Sequence, residues 1–183
     1  TSDGTEAGTI LLKDINIVTP TAASFPAGFY ALNDVLYFTA TDGVTGNELW
    51  KTDGTAAGTV LVKDIKTGSA NSDPGPFGSI NGKLVFTATS HPGSETYQRP
   101  QSDGTGAGTQ LLTTLFTTGF DERPRNFNLV NNTLFFQGAT TVFTGIELWK
   151  TDGTEAGTVM VKDINPGTFS GISSVLPGYA VAD

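Results

Sequence analysis

A stretch running Glu48-Leu49-Trp50-Lys51-Thr52-Asp53-Gly54-Thr55-Ala56-Ala57-Gly58-Thr59-Val60-Leu61-Val62-Lys63-Asp64-Ile65 returns almost letter for letter from Glu147 to Ile164, and this recurrence limits what the chain can fold into more than any other feature. Its second half also stands at Asp3 to Ile15, and an eroded copy runs from Asp103 through Gly104, Thr105, Gly108 and Thr109 to Leu112. The four Asp residues lie 50, 50 and 49 positions apart, the size of one supersecondary unit. A unit that small cannot bury a hydrophobic face alone, so propellers or stacked arrays of sheets come before any other architecture. The chain divides accordingly: residues 1–15 as the last strand of a preceding or ring-closing unit, 16–65, 66–115 and 116–164 as three whole units, and 165–183 as the first strands of another. Whether the 183 residues are an excerpt of a longer array or close a ring by themselves is left open.

Within the first whole unit, Asn16 to Gly28 is a connection rich in Pro, Ser, Thr and Gly. Two apolar and aromatic runs follow, Phe29 to Leu32 and Val35 to Thr41, joined by Asn33-Asp34. Residue types that tolerate a left-handed backbone at such a junction predict a hairpin. A second turn, Asp42 to Asn47, leads to a strand at Glu48 to Thr52, the loop Asp53 to Gly58, and a strand at Thr59 to Ile65. The same plan recurs around Asn81-Gly82 and Asn131-Asn132, and no helical periodicity interrupts it. The fold class is therefore all-β, built of four-stranded antiparallel meanders. Val35 to Phe38 and Val60 to Val62 are apolar at consecutive positions, so both faces of each sheet need cover. Neighbouring blades of a β-propeller, roughly four to eight of them, provide it. In the middle unit Gln98, Arg99 and Pro100 replace Glu, Leu and Trp; a proline demotes a strand to an edge or interrupts its pairing, so a third strand that is short or displaced is expected there.

The recurring residues read first as structure. Trp50 and Trp149 occupy the same phase and are expected to fill the gap between sheets, with sugar stacking as the alternative. Asp3, Asp53, Asp103 and Asp152 each open a loop in which the carboxylate accepts backbone N–H groups, the following Gly (Gly54 and Gly153 in the full copies) takes positive φ, and a closing Gly (Gly58 and Gly157) ends the turn. Calcium at Asp53 or Asp152 is the competing reading, but a hard cation takes roughly six to eight oxygens and the motif offers one dependable carboxylate. The pairs Lys13-Asp14, Lys63-Asp64 and Lys162-Asp163 are expected at exposed outer edges, where charge discourages pairing with other chains. Glu48 and Glu147 are expected to pair with a lysine across strands rather than act in catalysis.

Several chemistries are disfavoured outright. Ten Lys and Arg against eighteen Asp and Glu leave a charge of −8, which opposes a phosphate backbone. No apolar run approaches the ~18 residues of a membrane span. With no Cys and a single His, neither disulfides nor a multi-histidine metal site can form. Residues that break the repeat while carrying chemistry are His91, Glu95, Tyr97 and Arg99, and then Asp121, Glu122, Arg123 and Arg125, the latter group read as a solvated loop with internal ion pairs. No nucleophile elbow or phosphate loop occurs.

The pattern Glu-Leu-Trp-x-x-Asp-Gly-Thr-x-x-Gly-Thr, complete at Glu48 to Ile65 and Glu147 to Ile164, resembles the ELWxxDGT repeat of large bacterial secreted and surface proteins. Leu36-Tyr37-Phe38-Thr39-Ala40 through Asp42-Gly43 to the Trp strand is also similar to the blades of TolB-type propellers. The resemblance implies a propeller-like extracellular module with no shared activity and no catalytic residue to carry over. The expectation is thus a noncatalytic segment, secreted or at the cell surface, that is structural, adhesive or protein-binding, without a cofactor. Its partners would be a protein or glycan, or neighbouring repeats of the same chain. A carbohydrate-binding propeller and a fragment of a propeller hydrolase are the alternatives.

Overall fold

In the computed structural model of the protein, residues 3–18, 21–75, 77–89, 97–117, 124–139 and 145–166 are described. They form thirteen strands and no α-helix, so no helix is long and apolar enough to cross a membrane. The first sheet holds β1 (Ala27–Leu32), β2 (Val35–Thr41), β3 (Asn47–Thr52) and β4 (Val60–Lys63) in sequence order, every pair antiparallel. The second holds β5 (Phe77–Ile80), β6 (Lys83–Phe86), β7 (Ala88–Thr89), β8 (Tyr97–Ser102) and β9 (Gln110–Thr117), with β6 and β7 both against β8 and β9 on its other side. The third repeats the first with β10 (Arg125–Val130), β11 (Thr133–Gly138), β12 (Glu147–Thr151) and β13 (Val159–Lys162).

The hairpins form where the turn pairs stand. Asn33 and Asp34, Asn81 and Gly82, and Asn131 and Asn132 all have positive φ, the backbone of a two-residue turn whose twist matches its strands. A second irregularity also keeps its phase. The register between the third and fourth strands shifts between Leu49 and Trp50, between Arg99 and Pro100, and between Leu148 and Trp149. Such a bulge bends the strand and raises its local twist.

Alternation assigns the two faces of each sheet to different neighbours. Tyr37, Leu49 and Val62 of the first sheet pack against Leu84, Phe86 and Ala88 of the second. Val85 and Ile80 of the second meet Leu134 of the third, with Phe127 alongside. The opposite phase of the first sheet, Phe38, Ala40 and Trp50, is covered by Ile15 and by Leu61. Both faces of the middle sheet are thus closed, as the consecutive apolar positions require. The far face of the third sheet is more open: Val161 is 45% exposed and Ile164 54%.

The proline of the middle unit acts on pairing and not on length. β8 has six residues, as β3 does, so the strand is not shortened. Its ladder is what breaks. β6 pairs through Leu84 and Val85, β7 through Ala88 and Thr89, and the two positions between, Phe86 and Thr87, face Pro100 and Arg99 without pairing. Pro100 has no N–H to give, which removes a rung. Residues 9–17, at the expected place of a preceding unit's last strand, form no strand, although Ile15 still packs beneath Trp50. Among the described residues the three sheets do not close a ring. The strands expected beyond residue 170 lie outside them.

Candidate functional site

The Asp-Gly-Thr loop is the same object four times. Asp53 Oδ1 accepts the backbone N–H of Thr55 at 2.9 Å and its hydroxyl at 2.7 Å. Thr55 Oγ1 in turn accepts the N–H of Gly58 at 2.9 Å, and the Thr59 hydroxyl donates to Thr55 O at 2.7 Å. The sets at Asp3, Asp103 and Asp152 repeat these distances to within 0.1 Å. The closing glycine is dictated by the carboxylate itself, since a Cβ on Gly58 would lie 2.0 Å from Asp53 Oδ1, and Gly8, Gly108 and Gly157 are placed alike. Gly54 and Gly153 have φ of 89° and 92°, the left-handed region anticipated from the motif. Donation by the Thr hydroxyl, then by its N–H, holds all four carboxyls below their ordinary pKa.

Asp53 and Asp152, the positions of the competing calcium reading, sit in two of these loops. Each contributes one carboxylate, whose Oδ1 already takes two donors, and no group of three or more His, Cys, Asp or Glu gathers among the described residues.

Two recurring charges stand elsewhere than the sequence led us to expect. Glu48 and Glu147 are fully buried. Glu48 accepts the backbone N–H of Ile65 at 2.9 Å, the hydroxyl of Ser72 at 2.6 Å and the Ser72 N–H at 3.1 Å, and Glu147 accepts from Ile164 N at 3.2 Å. The partner of Glu48 is the connection leaving its own sheet, not a lysine. Burial pushes its carboxyl up to about 7 against the pull of those donors. Lys63 is no solvated edge charge either: its Nζ donates to Thr109 O in the next unit at 2.7 Å, and Lys13 reaches Thr59 O at the same distance. Lys51 adds a bond to Gly104 O at 2.7 Å. The hairpin turns are linked as well, with Asn33 donating to Gly82 O, Asn132 to Asn81 Oδ1 and Asn81 to Asp152 O. Both tryptophans are buried, 6% and 7% exposed, with Trp149 stacked on Phe136. Neither indole N–H has a hydrogen-bond partner among the described residues, and the burial of both rings leaves neither open to sugar stacking.

Of the residues that break the repeat, His91, Glu95, Asp121, Glu122 and Arg123 lie outside the described residues, and Tyr97 is placed by its backbone as the start of β8. Arg125 is half-buried at the head of β10, with Nε and Nη2 unpartnered among the described residues. Arg99 is fully buried where the other units carry Leu49 and Leu148. Its Nη2 donates to Thr158 Oγ1 at 2.6 Å, and its guanidinium lies 5.4 Å from the centroid of the Phe136 ring. Nε and Nη1 have no partner among the described residues, and desolvation draws its pKa down to about 10. Compared with family models, with curated proteins and with solved structures, the chain matches none.

Proposed function

We infer that the chain is a noncatalytic β-propeller repeat module, related to the ELWxxDGT repeats, that serves a larger secreted or cell-surface bacterial protein as a structural, adhesive or protein-interaction segment. The observation that carries this reading is where the recurring polar side chains go. The Asp and Thr of the loops bond within the loop, Glu48 ties down the connection, and Lys13, Lys51 and Lys63 bond to the next unit. A side chain held in this way has no free nucleophile or acid to offer a substrate. Packing of the middle sheet on both neighbours, with the twist of the bulged third strands, favours units that fan around an axis over a flat stack.

Electron microscopy of the chain extended by further copies of the repeat tests the architecture: a ring of roughly four to eight units is expected, and a rod or open superhelix overturns it. A panel of glycosidase, peptidase and esterase substrates tests the absence of catalysis. Turnover that disappears with a loop substitution overturns that half of the reading, and saturable glycan-array binding would replace adhesion to protein by a lectin activity.

A further inference from the structure

The hairpin turn of the middle unit differs from its siblings in a way that changes its chemistry. Asn33 is followed by Asp34 and Asn131 by Asn132, whereas Asn81 is followed by Gly82, and no other asparagine of the chain precedes a glycine. Both residues are exposed, with φ of 53° and 72°, and they lie just beyond the rung that pairs Ile80 with Lys83. The backbone nitrogen that follows an asparagine can close a five-membered ring on the side-chain amide carbon. That nitrogen is least hindered where its own residue has no side chain. Asp-Gly pairs in the loops could close the same ring, but an ionised carboxylate is a poor electrophile, and the four loop carboxyls are held below their ordinary pKa. The Asn81-Gly82 turn is also where three units meet. Asn81 Nδ2 donates to Asp152 O of the third unit at 2.9 Å, and Asn81 Oδ1 accepts from Asn132 Nδ2 of that unit at 3.1 Å. Gly82 O accepts from Asn33 Nδ2 of the first unit at 3.1 Å. All three bonds are exposed to water, so they open without opening the core.

We propose that Asn81 is a self-modification site, whose conversion to aspartate or isoaspartate unlinks the hairpin of the second unit from the third. The Gly82 nitrogen bonds to Asn81 Cγ, the Cγ–Nδ2 bond breaks, and the amide nitrogen leaves as ammonia with the proton from the Gly82 N–H. One water then opens the succinimide. Addition at Cγ gives aspartate, and addition at the backbone carbonyl carbon gives isoaspartate, in which the chain runs through the former side chain. The net change is amide and water to carboxylate and ammonium, with no oxidation or reduction. Either product is a carboxylate, which accepts hydrogen bonds and donates none, so the bond to Asp152 O is lost and two acceptors face each other. Isoaspartate also adds a backbone atom to a turn that fits its strands with two residues, which shifts Gly82 O away from Asn33. The site is independent of whether the array closes into a ring.

Incubation of the whole chain in mildly alkaline buffer tests it. Aliquots are mapped by mass spectrometry with electron-transfer fragmentation, which tells isoaspartate from aspartate, and the thermal midpoint is read on the same aliquots. Asn81 is expected to convert ahead of Asn33 and Asn131, with isoaspartate as the larger product. The midpoint is expected to fall by about 2–4 °C in step with that conversion, the effect of losing one hydrogen bond in a chain of this size. Asn81→Gln keeps an amide whose ring closure is slower, and is expected to hold its midpoint over the same period; Asn81→Ser serves if the glutamine variant does not fold. Asn81→Asp is expected to show the lowered midpoint without incubation. No conversion at Asn81, or conversion of Asn33 or Asn131 at the same pace, overturns the proposal. So does complete conversion with an unmoved midpoint, which would mean that the turn is no joint, or a non-converting variant that loses stability as fast as the parent.

Discussion

Lys63 donates from Nζ to the carbonyl of Thr109 at 2.7 Å, and Lys13 stands in the same relation to Thr59, both across 46 residues of chain. The bond runs from the end of one unit, in Lys63's case the end of β4, to the closing threonine of the next unit's loop, so it is a joint between units and not a feature of either. Hydrogen bonds from charged donors contribute more than neutral ones, and this one is partly buried. Lys63→Met is expected to lower stability by about 1–2 kcal/mol in urea unfolding. Lys162→Met, at the matching but exposed position of the third unit, is expected to stay within about 0.5 kcal/mol of the parent. Equal effects at the two sites would remove the inter-unit role.

The two glycines of a loop are required for different reasons, and substitution separates them. Gly54 has φ of 89° with open space around it, so Gly54→Ala meets backbone strain alone, about 1–2 kcal/mol. At Gly58 the added methyl collides with the Asp53 carboxylate, for a loss of about 1–3 kcal/mol. Removing that carboxylate makes room. The double variant Asp53→Ala, Gly58→Ala is expected to be less destabilised than the sum of its parts, by about 1 kcal/mol in a thermodynamic cycle. Additive losses would show that the loop relaxes around the methyl by another route.

How much of this was legible in the residues depends on the distance to the partner. The hairpins were, because Asn33-Asp34, Asn81-Gly82 and Asn131-Asn132 encode their backbone locally, and so was the loop, where Asp53, Thr55 and Gly58 satisfy one another within six positions. Trp50 and Trp149 were legible as buried because the repeat fixes their phase. Glu48 and Lys63 were not. A charged residue at a recurring position reads as surface unless its partner is known, and Ile65, Ser72 and Thr109 lie 17, 24 and 46 residues away. Arg99 was visible as a break in the pattern, but a substitution for leucine does not say whether the strand has turned outward or the charge has gone in. Pro100 gave the interrupted ladder while the strand kept its full six residues, since β9 continues to pair on its other side.

Trp149 offers a clean separation of packing from hydrogen bonding. The ring is 7% exposed, stacked on Phe136 at 6.4 Å between centroids and 26° between planes, and its N–H has no acceptor among the described residues. Trp149→Phe therefore breaks no hydrogen bond and keeps an aromatic surface, with an expected loss of about 1–2 kcal/mol. Trp149→Ala leaves a cavity and is expected to lose about 3–5 kcal/mol. Chemical denaturation of both variants checks the difference, and comparable losses would point to a hydrogen bond made by the indole.

The pH dependence of stability is expected to fall off on both sides of a mildly acidic optimum. Asp3, Asp53, Asp103 and Asp152 titrate below 3.8 in the folded chain, so their contribution is present above pH 3.8 and is lost as pH falls through those lower values. Glu48 has the opposite sign. Its carboxyl is raised from 4.5 to about 7, so the folded state holds a proton that the unfolded chain has released; the contribution is complete below pH 4.5 and lost as pH rises through about 7. The gap between those two values corresponds to about 3 kcal/mol. Glu48→Gln keeps the size of the side chain and cannot titrate, so urea midpoints of this variant are expected to be flat between pH 4.5 and 7 where the parent declines. Asp53→Asn is expected to change the acid limb only, through the loss of a charged acceptor for Thr55. A parent whose stability climbs steadily from pH 4.5 to 7 would mean that the donors from Ile65 and Ser72 outweigh the burial of Glu48 and keep it ionised.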